Sequence, residues 1–421
     1  MKTYRIIGNM TGNSMDAIDL VLTEFHGGIM KDICSYSAPY SREMQAHMET
    51  LRQAVFDKSP TEILSLPKFK QIHDSYVHQI ADCINKMCQK YQLDKKTIDA
   101  IGFHGKTLDH NPPSQAKING RSAYTLQIGS GQMLANLTNI PVVYDFRSDF
   151  IMNGFEGAPL IPPHNAHISA TEGDGCYYNG GNTSNFAWVI SGKAVIGADA
   201  GPFNEYIDAY IRQNTSNCYD KDGQYGKVGT LDKALLQKLY DIGSDYYEQK
   251  LPKSGDPQYY HRDIVFKTIQ EAGISFNNAV HTLEYFAAYI AVQALTLTEK
   301  KIPIIPNFIL FGGGWKNPVV RGCFEQLITG QAYILPQHRK SFNSFYRRFI
   351  QKPTIRYSHF GEMMEARLFA DLARYKLENK AWEIPETILA NHPVICGVIA
   401  YPGKNQVSDY INRAAKGWQR E

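Results

Sequence analysis

The chain twice repeats one order of short apolar segments and glycine-rich turns, and this repeat limits its fold more than any other feature. The apolar segments of the first copy are 4–8, 18–25 and about 29–37. Those of the second copy are 175–178, 186–190 and 194–196. Short apolar segments bounded by glycine are typical of strands joined by tight turns. The repeat predicts two related α/β lobes that each begin with a three-stranded meander, against the alternative that two hairpins resemble each other by chance.

Length and composition agree with two lobes of a soluble globular protein. The chain has 421 residues, of which 43% are hydrophobic and 20% are charged, and its formal net charge is +3. Domains usually hold roughly 100 to 200 residues, and we place the lobes at 1–165 and 166–421. No long run of Lys or Arg occurs, so the sequence predicts no nucleic-acid partner and no membrane partner.

The cysteines indicate a reducing compartment. There are seven, an odd number, and none forms a CxxC pair. Free and mostly buried thiols are therefore expected instead of a disulfide framework. The N-terminal segment has no long apolar stretch, and no run of 18 apolar residues occurs. We therefore expect a cytoplasmic protein without a targeting segment.

The first turn, from Gly8 to Asp16, has the composition of an anion site. Glycine lets a backbone approach a ligand closely, and successive N–H groups in a turn bind phosphate. The carboxylates of Asp16 and Asp19 would repel a bare phosphate, and Mg²⁺ is the cation that complements both. An ordinary hairpin turn is the alternative interpretation.

Three further strand ends favour a nucleotide as the ligand. They are Asn179 to Ser184, Asp199 to Asn204 and Gly312 to Gly314. Ligands of α/β folds bind at the carboxyl ends of strands, and the bare backbone of Gly312 to Gly314 can accommodate a base or a ribose. Neither a Walker A loop nor a GxGxxG motif is present.

Asp145 follows a short apolar segment and is the candidate general base, with Arg147 close enough to hold charge. The alternative for Asp145 is a strand-end aspartate that caps the next turn. His104 also follows an apolar segment, and it is either a substrate contact or a structural histidine. Glu156 lies in a glycine-containing loop that suits close approach of a substrate.

The order of these motifs resembles that of the anhydro-N-acetylmuramic acid kinases, a branch of the superfamily of sugar kinases, heat-shock protein 70 and actin. The family's GxMSGTSxDGxD, HGQT, TLQIG, DFR and GAPLVP are similar, in this order, to Gly8 to Asp19, His104 to Thr107, Thr125 to Gly129, Asp145 to Arg147 and Gly157 to Pro162. Its DTGPGN, YDxDG, GGGxxNP, Glu-Ala and YPG are similar to Asp199 to Asn204, Tyr219 to Gly223, Gly312 to Pro318, Glu365-Ala366 and Tyr401 to Gly403. The resemblance runs from about residue 4 to residue 403.

The resemblance implies two ribonuclease H-like lobes of the actin-like ATPase fold, with an ATP cleft between them. It also implies a homodimer that uses ATP, Mg²⁺ and a small anhydrosugar. Asp145 would activate water against the anomeric carbon of 1,6-anhydro-N-acetylmuramic acid, and the freed O6 would take the γ-phosphate. Such a transition state is stabilised by positioning and by cationic and N–H groups.

The resemblance further implies three sets of binding residues. The residues for ATP and phosphate are Gly12, Asn13, Ser14, Asp16, Asp19, Gly180, Gly181, Asp199, Gly201, Gly312, Gly313, Gly314 and Asn317. The residues for Mg²⁺ are Asp16 and Asp199. The residues for the sugar are His104, Thr107, Arg147, Glu156, Gly157, Ala158, Pro159 and Glu365.

The chain departs from the family pattern near the expected phosphates and sugar. Asn13 and Ala17 replace a threonine and a glycine of the first loop, and Phe203 replaces a glycine that we expect beside the phosphates. The family's KSTGRE is reduced to Lys253 to Asp256, without the arginine that would pair with a substrate carboxylate. Two alternatives therefore stay open: a kinase of a different, for example neutral, anhydrosugar, and a nucleotide-binding protein that has lost catalysis.

Overall fold

The structure, a computed structural model, describes residues 2–12, 17–55, 58, 60–253, 260–385, 392–405 and 410–416. Two groups of predicted residues lie outside the described residues, namely Asn13, Ser14 and Asp16 of the first loop and Ser254, Gly255 and Asp256. The chain forms two compact units. The first falls within 1–164, 363–384 and 391–421, and the second within 165–362 and 385–390.

Strands and helices alternate along most of the chain. The strands are β1 (Tyr4–Thr11), β2 (Ala17–His26), β3 (Ile29–Pro39), β4 (Ala100–Phe103), β5 (Lys106–Asn111), β6 (Tyr124–Ile128), β7 (Val142–Tyr144), β8 (Gly175–Gly180), β9 (Thr183–Ile190), β10 (Lys193–Pro202), β11 (Asn307–Phe311), β12 (Thr354–Tyr357), β13 (Trp382–Ile384), β14 (His392–Val394) and β15 (Val398–Ala400). The helices are α1 (Arg42–Val55), α2 (Pro60–Leu64), α3 (Phe69–Lys90), α4 (Pro113–Asn119), α5 (Gly131–Thr138), α6 (Ser148–Met152), α7 (Pro162–Glu172), α8 (Asn204–Asn214), α9 (Lys233–Ile242), α10 (Ser244–Tyr247), α11 (Arg262–Ala272), α12 (Phe276–Thr296), α13 (Pro318–Ile328), α14 (Arg339–Tyr346), α15 (Met364–Leu377) and α16 (Arg413–Lys416).

The first unit is built on a six-stranded sheet with the order β15-β7-β4-β1-β2-β3. β1, β2 and β3 form an antiparallel meander, and β4 and β7 continue the sheet in parallel with β1. Alternate side chains of β2 point to one face, where Ile18, Leu20 and Leu22 are buried in the core of this unit. Apolar residues at helical spacing on α3, including Ile72, Tyr76 and Ile80, belong to the same core.

The second unit repeats this arrangement in a five-stranded sheet with the order β10-β9-β8-β11-β12. β8, β9 and β10 form the antiparallel meander, and β11 and β12 are parallel to β8. Three antiparallel strands followed by parallel ones is the strand order of a ribonuclease H-like lobe. The predicted repeat and the predicted α/β fold class are therefore confirmed. The long helix α12 is buried along almost its whole length in a second core.

Two paired glycines allow a helix to lie unusually close to the first sheet. Gly8 of β1 is opposite Gly102 of β4, and α15 crosses both strands. A Cβ on Gly8 would lie 1.8 Å from the carbonyl oxygen of Ala366, and a Cβ on Gly102 would lie 2.0 Å from that of Phe369. Because backbone cannot move aside like a flexible side chain, only glycine fits at these two positions.

The cysteines and the helices were also compared with the expectations from the sequence. Each of the seven cysteines is free, and five of them are buried, as the sequence predicts. None of the helices in the described part of the chain combines the length and the apolar character that crossing a membrane requires.

Candidate active site

The parallel strands of the first unit bring two predicted residues to one edge of the sheet. Phe103, the last residue of β4, is opposite Tyr144, the last residue of β7. His104 and Asp145 follow these two residues directly, so both lie at the carboxyl ends of adjacent parallel strands. This edge is where α/β folds bind their ligands.

A chain of hydrogen bonds joins His104, Arg147 and the loop at Gly157. Arg147 donates from Nε to Nε2 of His104 (3.0 Å) and from a terminal guanidinium nitrogen to the carbonyl oxygen of Gly157 (2.6 Å). Since the arginine N–H can only donate, Nε2 of His104 is the acceptor and the ring proton is on Nδ1. Nδ1 then donates to the carbonyl oxygen of Gly105 at 3.0 Å. The histidine is thus a neutral group that fixes the orientation of the guanidinium.

Burial lowers the pKa of His104 well below 6.5, and the Arg147 guanidinium lowers it further. The unfolded chain binds a proton near pH 6.5 and the folded ring does not, so this group takes stability away as the pH falls below about 6.5. As the pH is lowered from 7 to 5, we expect the free energy of unfolding to fall less steeply in His104→Gln than in the wild type. The two slopes should differ by up to about 1.4 kcal/mol per pH unit. Urea unfolding at pH 7 and pH 5 measures this difference. Equal slopes in the two proteins would contradict it.

Asp145 is buried and bonded through both of its carboxylate oxygens. Its Oδ1 accepts from the Ser148 hydroxyl at 2.5 Å. Its Oδ2 accepts from the backbone N–H of Arg413 at 3.1 Å and from Nε of the same residue at 2.7 Å. Asp145 also has a φ of 58°, in the left-handed region that costs a non-glycine residue of order 1 kcal/mol or more. The side chain is only 2% exposed.

The other predicted sugar-binding residues of the first unit have partners within it. Thr107 accepts from the Gln127 amide at 3.2 Å. Glu156 accepts from the backbone N–H of Ser114 at 3.0 Å and from its hydroxyl at 2.6 Å. A cis peptide bond joins Ala158 to Pro159. Glu365 lies in the first turn of α15 and is partly buried.

Lys106 is a buried cation at the first hairpin, and the sequence reasoning did not select it. Its ammonium donates to the carbonyl oxygen of Gly12 at 2.9 Å, and the residue is only 3% exposed. Asp19, on β2, accepts from the Ser37 hydroxyl at 2.7 Å. The signal that identifies Lys106 is the lysine in HGKT, where the family motif has glutamine.

Among Gly180, Gly312, Gly313 and Gly314, three glycines are packed and one is open. A Cβ on Gly312 would lie 2.5 Å from Oδ1 of Asn179, and Gly312 has a φ of 93°. A Cβ on Gly180 or Gly314 would meet the Phe203 ring at 2.8 or 2.6 Å. No described atom lies within 4 Å of a Cβ on Gly313. Of the three glycines in this loop, Gly313 is therefore the one that leaves room for a ligand.

Phe203 does not stand in open space beside this loop. It is 1% exposed, and its ring centroid lies 4.6 Å from that of Trp315. The backbone N–H of Phe203 donates to the carbonyl oxygen of Asn182 at 2.7 Å, which ties the end of β10 to the Gly181-Asn182 turn. The ring belongs to the core of the second unit, and its expected position beside the phosphates stays a prediction.

Asn317 links the glycine loop to a buried pair of acidic residues. Its Oδ1 accepts from the backbone N–H of Val319 at 2.9 Å and caps α13. Its amide donates to Glu284 at 2.5 Å. Asp220 accepts from the backbone N–H of Gly226 at 2.9 Å. The amide oxygen and the amide nitrogen of Asn317 therefore both hold the end of the Gly312 to Gly314 loop in place.

Glu284 is a buried acid whose surroundings favour its neutral form. Burial is the main cause that raises the pKa of Glu284 to about 9, opposed by the Asn317 amide and reinforced by Asp220. Because the folded chain holds this proton from pH 4.5 to 9 and the unfolded chain does not, its contribution to stability is lost as the pH rises through this range. The free energy of unfolding of Glu284→Gln minus that of the wild type should increase by about 1 kcal/mol or more from pH 6 to pH 8. Urea unfolding at both pH values measures the gain, and an unchanged difference would contradict it.

Asp199 and Gly201 lie on β10 in the interior of the second unit. The backbone N–H of Asp199 donates to the carbonyl oxygen of Lys253 at 2.9 Å. A Cβ on Gly201 would lie 2.8 Å from Ile290. Burial lowers the pKa of Lys253 to about 7, although the Asp199 carboxylate opposes this shift. The Lys253 ammonium donates to the carbonyl oxygens of Tyr246 and Tyr247 at 2.9 and 2.8 Å.

A cavity of about 410 Å³ opens beside Pro318, the first residue of α13. Its wall includes Tyr285, Val319, Cys323 and Tyr333. The wall also includes the polar side chains of His281, Gln326 and Gln331. The cavity adjoins the end of the loop that contains Gly313.

The sequence model of the family described as anhydro-N-acetylmuramic acid kinase matches residues 4–402. The chain belongs to this family. Residues 403–421 lie beyond the match.

Similar solved structures are distant from this family member. Component A of (R)-2-hydroxyglutaryl-CoA dehydratase from Acidaminococcus fermentans is 10% identical, with 90% of this chain and 100% of that chain covered and a TM-score of 0.39. A ROK family glucokinase from Streptomyces griseus, in complex with glucose and AMPPNP, is 13% identical over 88% and 99% of the two chains, with a TM-score of 0.39. A ROK hexokinase from Thermus thermophilus is 12% identical over 87% and 97%, with a TM-score of 0.33. At this distance neither substrate nor chemistry transfers to this chain.

Proposed function

We propose that this protein is an ATP-dependent kinase of 1,6-anhydro-N-acetylmuramic acid, which it converts to N-acetylmuramic acid 6-phosphate in the recycling of cell-wall sugars. The family match over residues 4–402 supports the reaction. The observation that carries the proposal is the position of Asp145, at the end of a parallel strand beside His104 and Arg147.

The proposed reaction requires one base and one phosphoryl acceptor. Asp145 takes a proton from water while the water oxygen bonds to C1 of the sugar. The C1–O6 bond breaks, and O6 keeps its electron pair. O6 then bonds to the γ-phosphorus of ATP, the bond from that phosphorus to the bridging oxygen breaks, and ADP leaves. Arg147, oriented by neutral His104 and by the Gly157 carbonyl, is proposed to hold the sugar.

The phosphates and the nucleoside are proposed to bind at the glycine-rich strand ends. Lys106 at Gly12 supplies positive charge to the first loop, and Gly313 with the cavity beside Pro318 is proposed to take the nucleoside. The carboxylate of Asp199 has the hard oxygen donors that Mg²⁺ prefers, so its chemistry fits the ion. Bound Mg²⁺ would neutralise charge on the phosphates.

The release of ADP from ATP, measured with a panel of sugars, tests the proposal. We expect ADP with 1,6-anhydro-N-acetylmuramic acid and none above background with N-acetylmuramic acid, which has no bridge for water to open. ADP with the reducing sugar alone would contradict the proposed function.

A neutral anhydrosugar is the second candidate substrate, because of Lys253. This lysine begins the segment in which the family arginine is missing, and its ammonium is buried on two backbone carbonyls. It therefore offers no exposed charge to a substrate carboxylate. A higher kcat/KM for 1,6-anhydro-N-acetylglucosamine than for the acidic sugar would favour this candidate.

A further inference from the structure

Residues 410–416, here named the cap segment, lie beyond the family match and contact both the end of β6 and the candidate base. Ile411 forms an antiparallel bridge with Ile128, the last residue of β6. Asn412 extends this pairing, because its side chain accepts from the Gln127 N–H at 2.8 Å and its N–H donates to the Gln127 carbonyl at 3.2 Å. Ile411 is 2% exposed. The cap segment thus continues the β5-β6 sheet by one short pairing.

Ser148 connects the cap segment to Asp145. Its hydroxyl oxygen accepts from the Asn412 amide and from the Ala414 N–H, both at 2.9 Å. The same hydroxyl donates its proton to Oδ1 of Asp145. One side of the carboxylate is therefore held by a hydroxyl that the cap segment itself orients.

Arg413 occupies the other side of the carboxylate. Its N–H and Nε both bond to Oδ2 of Asp145. The two terminal nitrogens of its guanidinium donate to Asp149 at 2.9 and 2.8 Å. Charge-assisted bonds of this kind are roughly twice as strong as neutral ones, so Arg413 is the strongest contact of the cap segment.

This arrangement is incompatible with general-base catalysis while it lasts. A base must reach the proton it removes, directly or through one water. The two carboxylate oxygens of Asp145 accept from the Ser148 hydroxyl and from two nitrogens of Arg413, and the side chain is only 2% exposed. We propose that the cap segment is an autoinhibitory element that must leave Asp145 before this chain can act as a kinase. The inference rests on the proposed function, in which Asp145 is the base.

The cap segment has little regular secondary structure of its own. Its helix, α16, has four residues, which is too short to be stable alone, and the Arg413 side chain is 37% exposed. Opening would expose Ile411 and Ala415, which belong to the core of the first unit, and this burial favours the closed form. The rate of the enzyme is then scaled by the fraction of molecules in which the cap segment is open.

Arg413→Gln tests the cap segment in the full chain. It removes the guanidinium and keeps the backbone, and we expect kcat/KM to rise about tenfold because the open fraction increases. Arg52→Gln is the matched control, since Arg52 has an exposed ion pair with Glu49 on α1, and its kcat/KM should not change. A lower kcat/KM in Arg413→Gln would show that Arg413 positions Asp145 instead of blocking it, and would overturn the proposal.

A disulfide between positions 128 and 411 tests the cap segment by locking it in the closed form. The Cα atoms of a bridged antiparallel pair are about 4.5 to 5.5 Å apart, within the range of a disulfide, so Ile128→Cys with Ile411→Cys should close the cap segment on oxidation. We expect the oxidised protein to lose at least about nine-tenths of its kinase rate and to recover it on reduction. An oxidised protein with the full rate would overturn the proposal.

Labelling of Asp145 separates failure of the cap segment from failure of the proposed function. A carbodiimide with an amine modifies accessible carboxyl groups, and peptide mass spectrometry counts modified Asp145. We expect labelling to be low in the wild type and in the oxidised double variant, and several-fold higher in Arg413→Gln. If no form phosphorylates any sugar, the proposed function fails, and this labelling pattern alone supports the cap segment. Equal labelling in all forms would overturn it.

Discussion

Asp145→Asn should lower kcat for 1,6-anhydro-N-acetylmuramic acid by about 10² to 10⁴, the usual contribution of a general base. Asparagine keeps the size of the side chain and a hydrogen-bond acceptor, but its amide takes no proton from water. KM should change little, because the loss falls on the chemical step. Steady-state kinetics with ATP in excess measures both parameters. A variant with the full wild-type kcat would show that Asp145 is not the base.

Asp149→Asn is the matched control for this experiment. Asp149 shares Arg413 with Asp145 and also accepts from the backbone N–H of Gly397 at 2.8 Å. Both variants therefore lose part of the same ion-pair network, and only one loses the candidate base. We expect Asp149→Asn to keep its kcat or to raise it, as the cap segment is held less firmly. Equal losses in the two variants would mean that the network, and not the base, was damaged.

Gly8→Ala should destabilise the first unit by about 3 kcal/mol or more, because it forces overpacking against backbone. Its Cβ would lie 1.8 Å from the carbonyl oxygen of Ala366 and 2.9 Å from the backbone nitrogen of Ala370. Relief requires α15 to move away from β1. Urea unfolding followed by circular dichroism measures the loss. A change smaller than about 0.5 kcal/mol, typical of a surface site, would contradict the packing described for α15.

Gly313→Ala is the corresponding control in an open position. No described atom lies within 4 Å of its Cβ, so stability should stay within about 0.5 kcal/mol of the wild type. If a nucleoside lies against this glycine, the methyl group should weaken ATP binding about tenfold, measured by calorimetry. Unchanged ATP binding would remove Gly313 from the proposed nucleotide site.

The spacing of apolar residues and the positions of turn glycines were enough to predict most of the fold. The apolar segments at 4–8 and 175–178 lie on the strands β1 and β8, and each is followed by the meander that the glycine turns predict. These features are local, because hydrophobic alternation and turn glycines act within a few residues. The positions of His104 and Asp145 at strand ends were predictable for the same reason.

The roles of individual glycines were not predictable, because they depend on partners far away in the chain. Gly8 reads as part of a phosphate loop, yet its nearest neighbour is the backbone of Ala366 on α15. Gly180 and Gly314 read as bare backbone for a ligand, yet both pack against the Phe203 ring. A sequence shows that a side chain is absent, and only the fold shows what occupies its place.

The contact between Asp145 and Arg413 was not predictable either, because it also joins distant parts of the chain. Arg413 is 268 residues from Asp145 in the chain, and no spacing rule joins the two. Lys106 is visible in its motif, but the sequence does not show that its ammonium donates to the carbonyl oxygen of Gly12. Long-range polar pairs of this kind depend on the register of strands and on helix placement, which the local pattern does not specify.

The mass of the product formed from 1,6-anhydro-N-acetylmuramic acid, ATP and Mg²⁺ tests the central claim most directly. A kinase that opens the bridge with water gives a product heavier than the sugar by one water and one phosphoryl group, and the Asp145→Asn protein gives almost none. A product that gains a phosphoryl group without water, or an equal yield from the Asp145→Asn protein, would contradict the account.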